Sequence, residues 1–148
     1  MKIYTAGMMD SVINNKSNED LSWKMLDWRN KVTDYFTYRE DIEILNPTRR
    51  SHNDDLNDKE IFNLDINDID NSDLIIADCR LHEGLTQFGT PCEIFYFNHI
   101  LKRPVLGWYN AEEGYRERSV FQNVLVDRLF PSLDRLLDHV SAYYQLNN

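Results

Sequence analysis

The carboxylate of Glu93 opens the apolar, aromatic run IFYFNHIL, directly behind the turn sequence GTPC. On a solvated helix face a glutamate there is ordinary, and in a first helical turn the helix dipole favours it. At the mouth of a parallel sheet the same group is a candidate nucleophile. Asp65 and Asp68 in NLDINDID are further carboxylates, and their plain reading is the solvated face of an acidic helix. Other chemistries find less support. The four histidines (His52, His82, His99, His139) lie far apart, without HExxH or a cysteine at ligand spacing, so no metal site is expected. Neither GxGxxG nor the Walker pattern GxxxxGKS/T occurs, and no cofactor is expected. Cys92 is expected to be buried as a small apolar residue.

These residues need a scaffold that brings them together. KIYTA before Gly7 has the character of a buried strand, followed by a polar loop, DSVINNKSNED. Apolar residues at Leu21, Met25, Trp28, Val32, Tyr35 and Phe36 predict a helix over 21–38. DIEILNP predicts a second strand stopped by Asn46-Pro47, and TRRSHNDDLNDKE a charged loop. Ile61, Leu64, Asp65, Asp68 and Ile69 fit a short helix, and DLIIAD predicts a strand covered on both faces. A helix is expected over 91–101, a fourth strand in RPVLGWY, a short fifth near Leu129, and a closing helix capped by Ser132. Alternating strands and helices make βαβ units. The fold class expected is α/β: one domain over 1–148, a doubly wound, flavodoxin-like parallel five-stranded sheet with helices on both faces. Ligands of such sheets sit at the carboxyl ends of the strands, near the reversal of strand order.

The bulk properties agree. The chain has 148 residues, 42% hydrophobic and 12% aromatic, enough for a single core. A formal charge of −9 disfavours polymeric nucleic acid and anionic membranes as partners, but leaves room for a small nucleoside or nucleotide. Two cysteines without a CxxC pair, no signal-peptide pattern and no membrane-length apolar run suggest a reduced, cytoplasmic setting.

One ordered set of residues is more specific than its parts. KIYTAG at the start, Asp65, Ile69 and SDLIIAD in the middle, and Gly89-Thr90, Glu93-Ile94 and Tyr96 followed by RPV occupy matching sheet positions. Together they resemble the nucleoside 2-deoxyribosyltransferase family, including relatives that hydrolyse the N-glycosidic bond of nucleoside 5′-monophosphates. Trp28-Arg29 and NPTRR (46–50) look like its short members, and the likeness spans roughly residues 1–106.

The resemblance implies that Glu93 attacks the anomeric carbon and forms a glycosyl-enzyme intermediate. It implies that Tyr4 holds this nucleophile by a hydrogen bond and that Asp65 contacts the substrate. Gly7, Met8, Gln87, Gly89 and Thr90 would line the substrate site, while Asp73 would be structural. The implied partners are a small-molecule nucleoside or nucleotide and a nucleobase acceptor, in a homo-oligomer. Six residues before the nucleophile the family often places an aspartate that handles the proton of the leaving base. Here that residue is Gln87, which cannot act as a general acid. The MMDS sequence after Gly7 lacks a Ser/Arg-rich phosphate grip, leaving Ser11, Arg49 and Arg50 as candidates. Trp108 and Tyr109 either stack on a base or pack beneath the last helix. The expected activity is transfer of a deoxyribosyl group between bases. The alternatives are hydrolysis of nucleoside 5′-monophosphates and non-catalytic nucleotide binding.

Overall fold

A computed structural model describes residues 1–8, 19–50, 56–80, 88–113 and 120–145. Its centre is a five-stranded, all-parallel sheet: β1 (Lys2–Ala6), β2 (Glu43–Leu45), β3 (Leu74–Asp78), β4 (Val105–Trp108) and β5 (Arg128–Phe130), ordered β2-β1-β3-β4-β5. The helices are α1 (Glu19–Tyr35), α2 (Asp58–Asp70), α3 (Gly89–Ile94), α4 (Val120–Leu125) and α5 (Leu133–Gln145). This is the doubly wound, flavodoxin-like arrangement expected from the alternation of elements. Strand order reverses between β1 and β3, so their carboxyl ends form the crevice where ligands of such sheets sit.

The two-residue period of a strand divides the core in two. Ile3, Leu74 and Ile76 point to one face, where they meet Trp28, Val32 and Phe36 of the α1 segment and Leu133, Leu136, Leu137 and Val140 of α5. Tyr4, Ile75 and Ala77 point to the other, packing with Ile69 of α2, Ile94 and Phe97 of the α3 segment, and Leu125 of α4. All five residues of β3 are buried, as its uninterrupted apolar sequence predicts. Asp73 opens that strand by accepting a hydrogen bond from the Lys2 amide at 2.7 Å, the structural role expected of it.

Several boundaries differ from expectation. The first helix ends at Tyr35, not 38, and Tyr35 is not a core residue: its hydroxyl donates to Asp138 at 3.0 Å on the surface. Three residues of the expected charged loop, Asp58 to Glu60, form the first turn of α2. Asn57 caps that helix, accepting from the amides of Lys59 and Glu60 at 3.0 and 3.1 Å, while Glu60 accepts from the Asn57 amide at 2.9 Å. This is a capping box, and Asn57→Ala is expected to cost about 1 kcal/mol, read as a lower urea midpoint with an unchanged slope. Helix α4 has no clear sequence signal, because VFQNVL is short and β-rich. Ser132 does precede α5, its hydroxyl accepting from the Arg135 amide at 3.3 Å.

The helix expected over 91–101 starts earlier and changes character. It is α-helical over Gly89–Ile94 and then widens into a π-helical turn over Phe95–Ile100, closed by Lys102 at φ 56°. No described helix is long and apolar enough to cross a membrane.

Candidate active site

Tyr4 and Glu93 meet beside the switch in strand order. Tyr4 is the third residue of β1, fully buried, and its hydroxyl donates to Glu93 Oε1 at 2.8 Å. The two residues are 89 positions apart in sequence, and the parallel sheet with α3 laid across it brings them together. Burial raises the Tyr4 pKa far above its ordinary value, and the negative charges of Glu93 and then Asp65 add to the rise. Tyr4 is therefore a neutral donor at every working pH. Asp65, half-buried on α2, belongs to the same centre through its charge.

This buried tyrosine makes a pH prediction. The unfolded chain releases the Tyr4 proton near pH 10, whereas the folded chain retains it well beyond. The folded state then binds more protons than the unfolded one, so stability present below pH 10 is lost as pH rises. Urea unfolding at pH 9 and pH 11 should show wild type losing about 1.4 kcal/mol more than Tyr4→Phe between those values.

Glu93 lies in the second turn of its helix, because α3 begins at Gly89. The dipole argument for a first-turn carboxylate therefore does not apply, since that effect fades within one turn. The Tyr4 hydroxyl orients it instead. Cys92 also departs from expectation and is exposed: Thr90 and Ile94 face the sheet, which turns Cys92 outward.

A second group of side chains closes the ends of β1, β3 and β4. Arg29 of α1 is fully buried, its Nη2 donating to the Gly7 carbonyl at 2.8 Å and its Nε to the Thr5 carbonyl at 3.4 Å. Desolvation lowers its pKa, against the stabilising charges of Asp78 and Glu93. Asp78, the last residue of β3, is held by Arg80 through Nε at 2.9 Å and Nη2 at 2.7 Å. Arg80 in turn covers the ring of Trp108 at 4.4 Å, and Trp108 lies 5.9 Å from Trp28. Trp108 is therefore packing and not a stacking platform for a base, while the half-buried Tyr109 stands just beyond it. Sequence reasoning noted Trp28-Arg29 only as a motif and missed Asp78 and Arg80. The signal for that pair was an acid closing an apolar strand with an arginine two residues on.

The other expected site residues distribute as follows. Gly7 and the buried Met8 follow β1, and Gly89 and the buried Thr90 open α3, on the two elements that hold Tyr4 and Glu93. Gln87, Ser11 and the Arg50 side chain lie outside the described residues. Arg49 is engaged elsewhere, in a 2.7 Å ion pair with Asp68 and a 3.0 Å bond to the Asn46 carbonyl. Asp68 is correspondingly buried, not on a solvated face. Among the described residues no group of three His, Cys, Asp or Glu side chains could hold a metal ion.

No family model and no curated protein matches the sequence. Solved structures do. A conserved protein from Enterococcus faecalis V583 aligns with a TM-score of 0.68 at 18% identity, over 97% of this chain and 98% of that one. A 2-deoxyribosyltransferase from Bacillus psychrosaccharolyticus aligns at 0.66 and 15% identity, over 93% and 90% of the two chains. The fold is that of a 2-deoxyribosyltransferase. A CMP N-glycosidase from Clostridium botulinum follows at 0.54 and 14% identity, over 95% and 99%. In each case the likeness covers nine tenths or more of both chains.

Proposed function

We propose that this protein is a nucleoside 2-deoxyribosyltransferase-like enzyme. It cleaves the N-glycosidic bond of a (2′-deoxy)nucleoside through Glu93 and transfers the deoxyribosyl group to a second nucleobase. The observation that carries the reading is the 2.8 Å hydrogen bond from Tyr4 to Glu93 at the switch in strand order. A buried neutral donor on Oε1 fixes the carboxylate in one orientation, from which it can attack the anomeric carbon.

The chemistry follows from that arrangement. As the C1′–N bond breaks, its electron pair leaves with the base, and the sugar takes on oxocarbenium character. A carboxylate first stabilises that charge and then traps it as an ester. The incoming base attacks C1′ from the opposite face, returns the electron pair to Glu93, and loses the N–H proton that the departing base gains. Asp65, whose charge acts on Tyr4 from α2, is the residue assigned here to a sugar hydroxyl. Gln87, which cannot donate a proton as a general acid, leaves the leaving-group proton to the base itself or to another group.

The test is chromatography of reactions containing each deoxynucleoside or its 5′-monophosphate, with and without a second free base. A new nucleoside formed only with the second base establishes transfer. Free base released without an acceptor establishes hydrolysis instead, the activity named for the clostridial structure. No product from any substrate overturns the enzymatic reading and leaves a nucleotide-binding module.

A further inference from the structure

Six buried side-chain polar atoms have no hydrogen-bond partner among the described residues, and four of them belong to one cluster: Thr5 Oγ1, Trp28 Nε1, Arg29 Nη1 and Trp108 Nε1. The Trp28 ring lies 5.9 Å from the Trp108 ring and 4.8 Å from the Arg29 guanidinium. Arg29 Nε and Nη2 donate to the carbonyls of Thr5 and Gly7. A Cβ on Gly7 would stand 3.1 Å from Arg29 Nη2 and 2.9 Å from Trp28 Cζ2, the ring carbon two bonds from Nε1. The N–H edge of the Trp28 indole and the guanidinium therefore meet at the exit of β1. Thr5 is two residues earlier on the strand, paired with Ile76 of the core under α1 and α5.

The chemistry of the cluster is one-sided. Indole and guanidinium nitrogens can only donate, and the threonine hydroxyl can donate as well. Buried donors are nearly always paired, because an unmet one keeps its full desolvation cost. What satisfies such a group is an acceptor, and beside a guanidinium the matching acceptor is an anion. Asp78, whose Cβ is 3.2 Å from the same Gly7 point, is already taken up by three N–H groups of Arg80.

We propose that Arg29, Trp28, Trp108 and Thr5 form a binding site for a phosphate-type oxyanion at the carboxyl ends of β1 and β4. It lies on the α1 side of the sheet, whereas Tyr4 belongs to the core on the other side. Strand ends at the reversal of strand order are where such sheets hold ligands. The oxyanion is either free phosphate or the phosphate of a nucleotide, and only the second source rests on the proposed function.

The experiment follows the indole N–H signals of the three tryptophans by 1H–15N NMR, with Trp28→Phe and Trp108→Phe giving the assignments. Inorganic phosphate, a deoxynucleoside 5′-monophosphate and the deoxynucleoside are titrated in turn, against sodium chloride at equal ionic strength. The expected result is a saturable downfield movement of the Trp28 and Trp108 signals with a phosphate-bearing ligand and none with chloride. Signals unmoved by both phosphate-bearing ligands, or moved equally by chloride, overturn the proposal. Arg29→Met should weaken binding about tenfold or more, and a folded Arg29→Met that binds as wild type overturns it. Should that variant fail to fold, the two Trp→Phe variants decide, since each removes one N–H and keeps a ring. Each should weaken binding about fivefold, and unchanged affinity in both overturns the site. A 5′-monophosphate bound at least about tenfold more tightly than inorganic phosphate assigns the oxyanion to the substrate, and equal affinities assign it to free phosphate. No turnover is needed, so failure of the glycosidic reading leaves this result standing.

Discussion

Replacing Glu93 by alanine is expected to lower turnover on the order of 10⁴-fold or more, equivalent to about 5.4 kcal/mol of transition-state stabilisation. The reason is the absence of a substitute. Tyr4 is held neutral by burial, so it cannot take over as an anionic nucleophile. Asp65 belongs to a different helix, α2, and a carboxylate held there cannot occupy the place on α3 that Glu93 vacates. The folded structure should survive, since Glu93 is only half-buried and its neighbours Thr90, Ile94 and Phe97 carry the packing against the sheet. Product formation is measured by chromatography at saturating nucleoside, with ligand affinity followed in parallel by the rise in Tm. Loss of product with retained ligand-induced stabilisation is the expected pair of results. An alanine variant as active as wild type would remove Glu93 from the mechanism altogether.

Much of this site could be read from sequence because of where parallel sheets keep their ligands. The strands are apolar runs closed by polar or glycine-containing segments, so YTAG, IIAD and GTPCE mark the strand-end region by residue type alone. The pairing of Tyr4 with Glu93 was different. Nothing local links residues 89 apart, and only resemblance to a family suggested it. Other features were hidden for physical reasons. Hydropathy places arginines outside, so the complete burial of Arg29 was not visible: its compensation comes from two backbone carbonyls and an indole face. The π-helical turn after Ile94 leaves the apolar pattern of FYFNHI intact while shifting the side chains that follow Glu93. It turns Tyr96 to Asp70, with the hydroxyl donating at 2.8 Å. Trp108 looked available to stack on a base because its sequence position follows a strand, but Arg80 and Trp28 occupy its surroundings.

Two glycines of the expected site should respond to alanine in opposite directions. A Cβ at Gly7 would lie 2.9 Å from Trp28 Cζ2, 3.1 Å from Arg29 Nη2 and 3.2 Å from Asp78 Cβ. None of these can yield easily. The indole is locked in the core against Trp108, the guanidinium nitrogen is bonded to the Gly7 carbonyl itself, and Asp78 Cβ is fixed to the β3 backbone. Gly7→Ala is therefore expected to cost about 2 kcal/mol, lowering Tm by about 4–8 °C in a chain of this size. Because relief of the clash displaces either Arg29 or the end of β1, activity should fall further than the stability loss explains at temperatures where the variant is fully folded. Gly89 is the contrast, since a Cβ there meets nothing within 4 Å. It begins α3, and alanine at that position restricts the unfolded chain without strain, so Gly89→Ala should stabilise by about 0.4–1 kcal/mol. If Gly89 lies against bound substrate, the same variant raises KM while Tm rises, a combination that no loss of folding can produce. Calorimetry of both variants with steady-state kinetics separates the cases: a Gly7→Ala variant as stable and active as wild type would mean that the β1 exit is not the rigid floor that the placement of Arg29 requires.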